Sequence, residues 1–179
     1  MQDNQLIQLF LPIINDQLIA QGYENVQVAQ SYQPTQQGVN TPATVYFFKV
    51  ADHRYGFLRR EDVYNNVTGI FDHLESQQYN TTFQISALVT QNPTVVNTYT
   101  ASDLVNEVSA IMQSDYARYQ LRKANVGIFR VEDIINPYFI DDRDRYEASP
   151  SFDFILSHKQ VRVSTTPVVE SVGLNIKRV

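Results

Sequence analysis

Residues 79–89, YNTTFQISALV, decide how the chain folds. Phe83, Ile85, Ala87 and Val89 fall on one side of an extended backbone, while Thr82, Gln84 and Ser86 fall on the other. Alternation with a period of two marks a half-buried strand, because successive side chains point to opposite faces. The strand extends backwards over DHLESQQYN (72–80), where Leu74, Ser76, Gln78 and Asn80 alternate with Glu75, Gln77 and Tyr79. A long strand with one polar face argues for a sheet covered by helices on one side only.

Working outward, two helical regions supply that cover. Ile7, Phe10, Leu11, Ile14 and Leu18 recur at helical spacing over 5–20, Gly22 offers a stop, and Pro12 predicts a kink or restart. Thr100 and Asp103 predict a capping arrangement ahead of the stripe Leu104, Val105, Val108, Ile111 and Met112. A break near Ser114 separates this helix from DYARYQLRKA (115–124), whose Arg122 and Lys123 suit the last turn.

The remaining segments read as strands and connections. NVQVAQSY (25–32) is a short strand, and the polar QPTQQGVNTP (33–42) is an exposed loop. ATVYFFKVADHRYGF (43–57) is β-rich, with a turn expected near ADHR (51–54). LRREDVYNNVTGIFDHLESQQY (58–79) fits a helix in its later part as well as the first half of the long strand. VGIFRVEDI (126–134) and SFDFILSHKQVRVS (151–164) are strands, and ESVGLNIKR (170–178) is a further candidate. The expected fold is α+β: a single domain over 1–179 with a mixed or largely antiparallel sheet and helices on one side.

Composition narrows the function classes. The chain has 179 residues, 43% apolar and 18% charged, a globular balance. Its net charge of −5 gives no general reason to bind nucleic acid. Without cysteine there is no disulfide, thiolate catalysis or Cys-based metal site. No apolar run approaches the ~20 residues that cross a bilayer, and MQDNQLIQLF lacks the cationic start of a signal peptide. Eleven Tyr and ten Phe, with no Trp, suit aromatic strands and broad contact surfaces.

Candidate chemistry is sparse. His53, His73 and His158 form no metal-binding or nucleophile-activating spacing, and the glycines form no phosphate-binding loop. His73 with Asp72 and Glu75 is a poor metal set, because on a strand Asp72 points away from the other two. Arg54, Arg59 and Arg60 cluster at an expected aromatic turn; Glu61 and Asp62 follow at once, favouring local or intersubunit salt bridges over DNA contact. NPYFIDDRDRYEASPSFDFIL (136–156) contains Asp141, Asp142, Arg143, Asp144 and Arg145 in a charged connection over 141–147. A metal-dependent nuclease needs convergent carboxylates with a water-orienting group, and arginines alternate with these aspartates instead. Two readings stay open: a solvated connection, or an ion-paired device between subunits. Tyr138, Phe139, Phe152 and Phe154 flank it as structural aromatics, for which internal packing around the connection and an interface are both open.

GIFRVEDIINPYFIDDRDRYEASPSFDFILSHKQ (127–160), together with YNTTFQISALV, resembles the bacteriophage neck or tail terminator family, also called tail-completion or head–tail joining proteins. The resemblance runs from the first helix to the last strand and is most specific over 136–156. It implies a small subunit forming a ring, commonly a hexamer, on the head-proximal end of the tail tube. That ring stops tube polymerisation and provides the docking surface for the neck and head; a head-completion or connector adaptor role is the alternative. A small nuclease and a nucleic-acid-binding accessory protein are more distant rivals. The implied partners are copies of itself, the tail tube protein, neck or connector proteins and the sheath of a contractile tail, with DNA only passing through. It implies no enzyme activity, cofactor, metal or membrane, and a location in the virion after assembly in the host cytoplasm. Asp141, Asp142, Arg143, Asp144 and Arg145 match its charged motif as interface residues, with Arg54, Arg59 and Arg60 added on their charge alone.

Overall fold

The computed structural model describes residues 1–31, 43–89, 98–140, 146–148 and 150–167. Strand β1 spans Gln27–Gln30, β2 Thr44–Asn65, β3 Ile70–Leu88, β4 Gly127–Val131 and β7 Ser151–Pro167. These five form one mixed sheet in the order β1-β2-β3-β7-β4. Only the β1–β2 pair is parallel. Strands β5 (Tyr138–Ile140) and β6 (Tyr146–Ala148) make a separate two-stranded antiparallel ribbon. Helices α1 (Asp3–Ala20), α2 (Ala101–Gln113) and α3 (Asp115–Lys123) complete an α+β fold.

Alternation places the core. Val45 and Phe47 of β2, Phe83, Ile85 and Ala87 of β3, and Phe152, Phe154 and Leu156 of β7 are buried on one face. Leu6, Phe10, Ile13, Ile14 and Leu18 of α1 meet them, with Leu104, Val105, Val108, Ile111 and Met112 of α2. Phe10 is the hub. Its ring lies 5.4 Å from Phe47, 5.0 Å from Phe83 and 5.3 Å from Phe154, edge-on to each. One helical side chain thus ties three strands together by a favoured aromatic geometry.

Local chemistry explains the helix ends. The Asp103 amide donates to Thr100 Oγ1 at 3.1 Å and the Thr100 amide to Asp103 Oδ2 at 2.9 Å, a reciprocal cap for α2. Ser114 separates α2 from α3: its hydroxyl donates to the Ile111 carbonyl and accepts from the Ala117 amide. Helix α1, by contrast, runs through Pro12 without a restart. Pro12 and Gln8 are both exposed, so the Gln8 carbonyl that proline leaves without a helical donor lies on the solvent side of the helix. The buried stripe of α1 includes Leu6 and Ile13, where periodicity pointed to Ile7 and Leu11.

Two other expectations change. No turn forms at 51–54: β2 continues to Asn65. The ambiguous segment 58–79 contains no helix. It holds the end of β2, the turn 66–69 and the start of β3. In that turn Asn65 Oδ1 accepts from the Val67 and Thr68 amides at 3.0 and 3.3 Å, and Gly69 takes φ 67°. Asparagine and glycine are the residues such a reversal requires. The loop 33–42 and the candidate strand 170–178 lie outside the described residues.

Phe10→Ala should cost about 3–5 kcal/mol, since it empties the hub of three aromatic contacts. Phe10→Leu should cost markedly less, and urea unfolding midpoints of the two variants give the comparison.

Candidate assembly surface

Strands β2, β3 and β7 do not stop where the helices stop. Beyond Asp52, Asn80 and His158 they continue as a three-stranded arm, ending at Asn65, Ile70 and Pro167. From Ile70 to Asn80 the arm spans about 35 Å at roughly 3.3 Å per residue. The described part of β2 from Asp52 to Tyr64 is exposed throughout.

A polar junction marks the arm's root, and a bulge makes it possible. Lys49 opposes Phe83 while Ala51 opposes Thr82, so Val50 is an inserted residue. On a regular strand Lys49 and Asp52 would point to opposite faces. The insertion puts them on the same face, with Lys49 Nζ 2.5 Å from Asp52 and 2.7 Å from Asp3 of α1. Thr81 donates its hydroxyl proton to Asp52 Oδ1 at 2.7 Å, so its oxygen accepts from His158 Nε2 at 2.9 Å. That assigns the His158 proton to Nε2. Its Nδ1 is buried without a hydrogen-bond partner among the described residues, and its ring stacks on Tyr79.

Further out, a second bulge shapes the edge of β2. Tyr55 opposes Gln78 and Arg59 opposes Ser76, leaving Gly56, Phe57 and Leu58 across from Gln77. The Gln77 amide donates to the Tyr55 and Gly56 carbonyls at 2.9 and 3.3 Å, and Gly56 takes φ 71°. The bulge thrusts Phe57 out completely, at 100% exposure. Val67 at the tip is 94% exposed. Solvated apolar groups on a long projection are a surface suited to association.

The arginines singled out in the sequence are not at a turn. They lie along β2 and divide between its faces: Arg54 opposes Tyr79, Arg60 opposes Glu75, and Arg59 opposes Ser76 on the other side. Arg60 pairs with Glu75 at 3.2 Å and Arg59 with Glu61 at 3.2 Å, both in solvent. Such pairs contribute little to stability, about 0–1 kcal/mol. Phe152 and Phe154 are core residues. Tyr138 and Phe139 lie on β5, where Tyr138 opposes Ala148 and Phe139 opposes Glu147. Asp141, Asp142, Arg143, Asp144 and Arg145 lie outside the described residues.

Sequence reading missed the arm's apolar side chains. Leu74 opposes Val163, Val161 opposes Ser76, and Val63 opposes Asp72, all on the face turned away from the helices. The VRV alternation at 161–163 and the turn chemistry of NNVTG were the available signals. His73, on the opposite face, bonds Asp62 at 2.6 Å instead of joining Asp72. Among the described residues no three or more His, Asp or Glu side chains gather as a metal site. No described helix is long and apolar enough to cross a membrane.

A helix-backed sheet that extends into a bare, partly apolar arm defines a structural subunit with a prominent surface for association. The family is specific: residues 5–168 match the model described as E217 gateway protein gp29, and the chain belongs to that family. It is therefore a structural protein of the phage virion with an assembly role at the head–tail junction. The family supports the phage and neck parts of the resemblance but not the narrower terminator role. A comparison with curated proteins gives no match.

The polar junction predicts acid sensitivity. Burial lowers the His158 pKa from its ordinary 6.5, because a second proton would sit on the unpartnered Nδ1; the Asp52 charge opposes this only in part. Burial would raise Asp52, yet hydrogen bonds from Lys49 and Thr81 outweigh it and hold the carboxyl below 3.8. Both folded values are depressed. Each contribution is complete above the unfolded pKa and is lost as pH falls through the folded one. Melting temperature should therefore drop as pH falls below about 6.5, where His158 begins to titrate in the unfolded chain, and again below about 4, where Asp52 does. His158→Gln should flatten the first decline and leave the second, as read by thermal melts across pH.

Proposed function

We propose that the protein is a ring-forming subunit that caps the head-proximal end of the tail tube and offers the docking surface for the neck. The observation that carries this reading is the arm. A monomer gains nothing from about 35 Å of sheet with no covered face, whereas a ring subunit needs surfaces complementary to its neighbours and to the layers above and below. Family membership supports the position at the junction. Copies of the chain in a hexameric ring, the tube protein, neck or connector proteins and, in a contractile tail, the sheath are the partners. The work is association of complementary surfaces, without covalent chemistry or a cofactor. DNA passes through, and a net charge of −5 avoids holding it strongly.

A second reading has its own support. The matched family is described as a gateway protein, which suits a connector adaptor seated on the head side of the neck. Electron microscopy separates the two. Rings on one end of purified tail tubes support the capping role, whereas attachment only to DNA-filled heads transfers the assignment to the adaptor.

Phe57→Ser should abolish or strongly reduce attachment to the purified partner particle. The side chain contacts solvent only, so stability should stay within about 0.5 kcal/mol of the parent. Pelleting with particles and a parallel melting curve measure the two effects.

A further inference from the structure

The arm has two open edges among the described residues. Strand β1 covers β2 only from Thr44 to Phe47, and β4 covers β7 only from Phe154 to Ser157. Past those points β2 to Asn65 and β7 to Pro167 pair with β3 alone. The Lys159 carbonyl accepts from the Met1 ammonium, and the Tyr55 and Gly56 carbonyls accept from Gln77; the rest of each outer edge has no neighbouring strand among the described residues, the feature by which sheets recruit another strand.

The two edges are chemically matched. On the face away from the helices β2 shows Val63, 42% exposed, and β7 shows Val161 and Val163, 48% and 60% exposed. Leu74 of β3 lies directly beside Val163 and diagonal to Val63, with Glu61 opposite it on β2. From His158 to Pro167, β7 carries Lys159 and Arg162 and no carboxylate. Neither cation has a salt-bridge partner among the described residues. The outer part of β2 carries Glu61 and Asp62, which face Arg59 and His73 within the chain, along with Arg54 and Arg60. The directions agree too. Both strands antiparallel to β3 run from the root to the tip, so arms pointing the same way bring β2 of one copy parallel to β7 of the next.

We propose that the open edge of β2 in one copy pairs in parallel with the open edge of β7 in the next, so that the arms form one continuous sheet. This rests on the ring-forming reading and names its contact. Val63 sits against Val161 and Val163 of the neighbouring copy, while Lys159 and Arg162 come alongside Glu61 and Asp62. Registers shifted by an even number of residues keep the valines on one face. A stagger of that kind also accompanies closure of a sheet into a barrel. The contact is heterologous, β2 to β7, and so propagates in one direction, the kind of contact from which a closed ring is built.

The absence of cysteine makes the test clean. Within one chain positions 63 and 163 are separated by β3, about 10 Å across two strand spacings, beyond the ~7 Å limit for a disulfide. Virus particles assembled with the double variant Val63→Cys/Val163→Cys, oxidised and then denatured, should yield a ladder of cross-linked multimers of this chain. Val63→Cys/Val161→Cys serves as the second pair, and Tyr119→Cys/Val163→Cys, on α3, should give monomers. Monomers from both edge pairs in particles that contain the protein overturn the edge contact and leave the virion role standing. Dimers from Val63→Cys alone overturn it in favour of a symmetric contact. Absence of the parent protein from purified particles overturns the underlying reading as well.

Discussion

Strand β3 is hydrogen-bonded along both edges, from Ile70 to Ser86, and the rest of the molecule depends on that double ladder. A two-stranded hairpin of this length would be marginal in water, and an arm with no covered face gains little from burial. The third strand changes the balance. On the arm every β3 residue is paired with both neighbours except Gln77, which meets the Gly56–Leu58 bulge on the β2 side. Cross-strand pairs such as Tyr64–Phe71 and Gln78–Ser157 add fractions of a kcal/mol each. The arm is held mainly by its root. Phe47, Phe83 and Phe154 belong to the same three strands, and Phe10 fixes them together. A one-residue slip in the arm would turn these phenylalanines out of the core, so the core sets the register of a surface far from it.

The passage from core to arm is a change of solvent within a continuous strand. Phe154 and Leu156 face the helices, and His158 is the next residue on that side. The chain meets this boundary with Lys49, Asp52, Thr81 and His158, whose polar atoms satisfy one another as apolar cover runs out. The Val50 insertion brings both strand charges to the boundary. Without it, Asp52 would face away from Lys49 and Thr81. The junction's tolerance of acid is limited by the one atom it leaves unpartnered, His158 Nδ1.

Legibility in the sequence followed burial. The helices, their caps, the α2–α3 break and the alternating parts of β3 and β7 were readable because half their residues meet an apolar environment. The outer half of β2 was not. FLRREDVYN has polar groups on both faces, so no period distinguishes strand from helix, and only pairing with β3 makes it extended. ADHR mimicked a turn because its polar residues carry no apolar period, although all four pair regularly with β3. The arginines were visible as a cluster, but strand geometry splits them between two faces. Arm valines were overlooked because isolated Val63, Val161 and Val163 share a face only after three strands are aligned.

An open sheet edge is a hazard as well as a means of recognition, and the arm carries devices for both. Lys159 and Arg162 put charge on the β7 edge, Pro167 ends it without a donor, and the Gly56–Leu58 bulge interrupts the β2 edge. Each discourages pairing with an arbitrary strand. None prevents the proposed pairing with the parallel β2 edge of another copy, which sets a valine against the valines. The features that keep the free subunit from aggregating therefore also select its partner. In the proposed ring, that discrimination sets the order in which copies join.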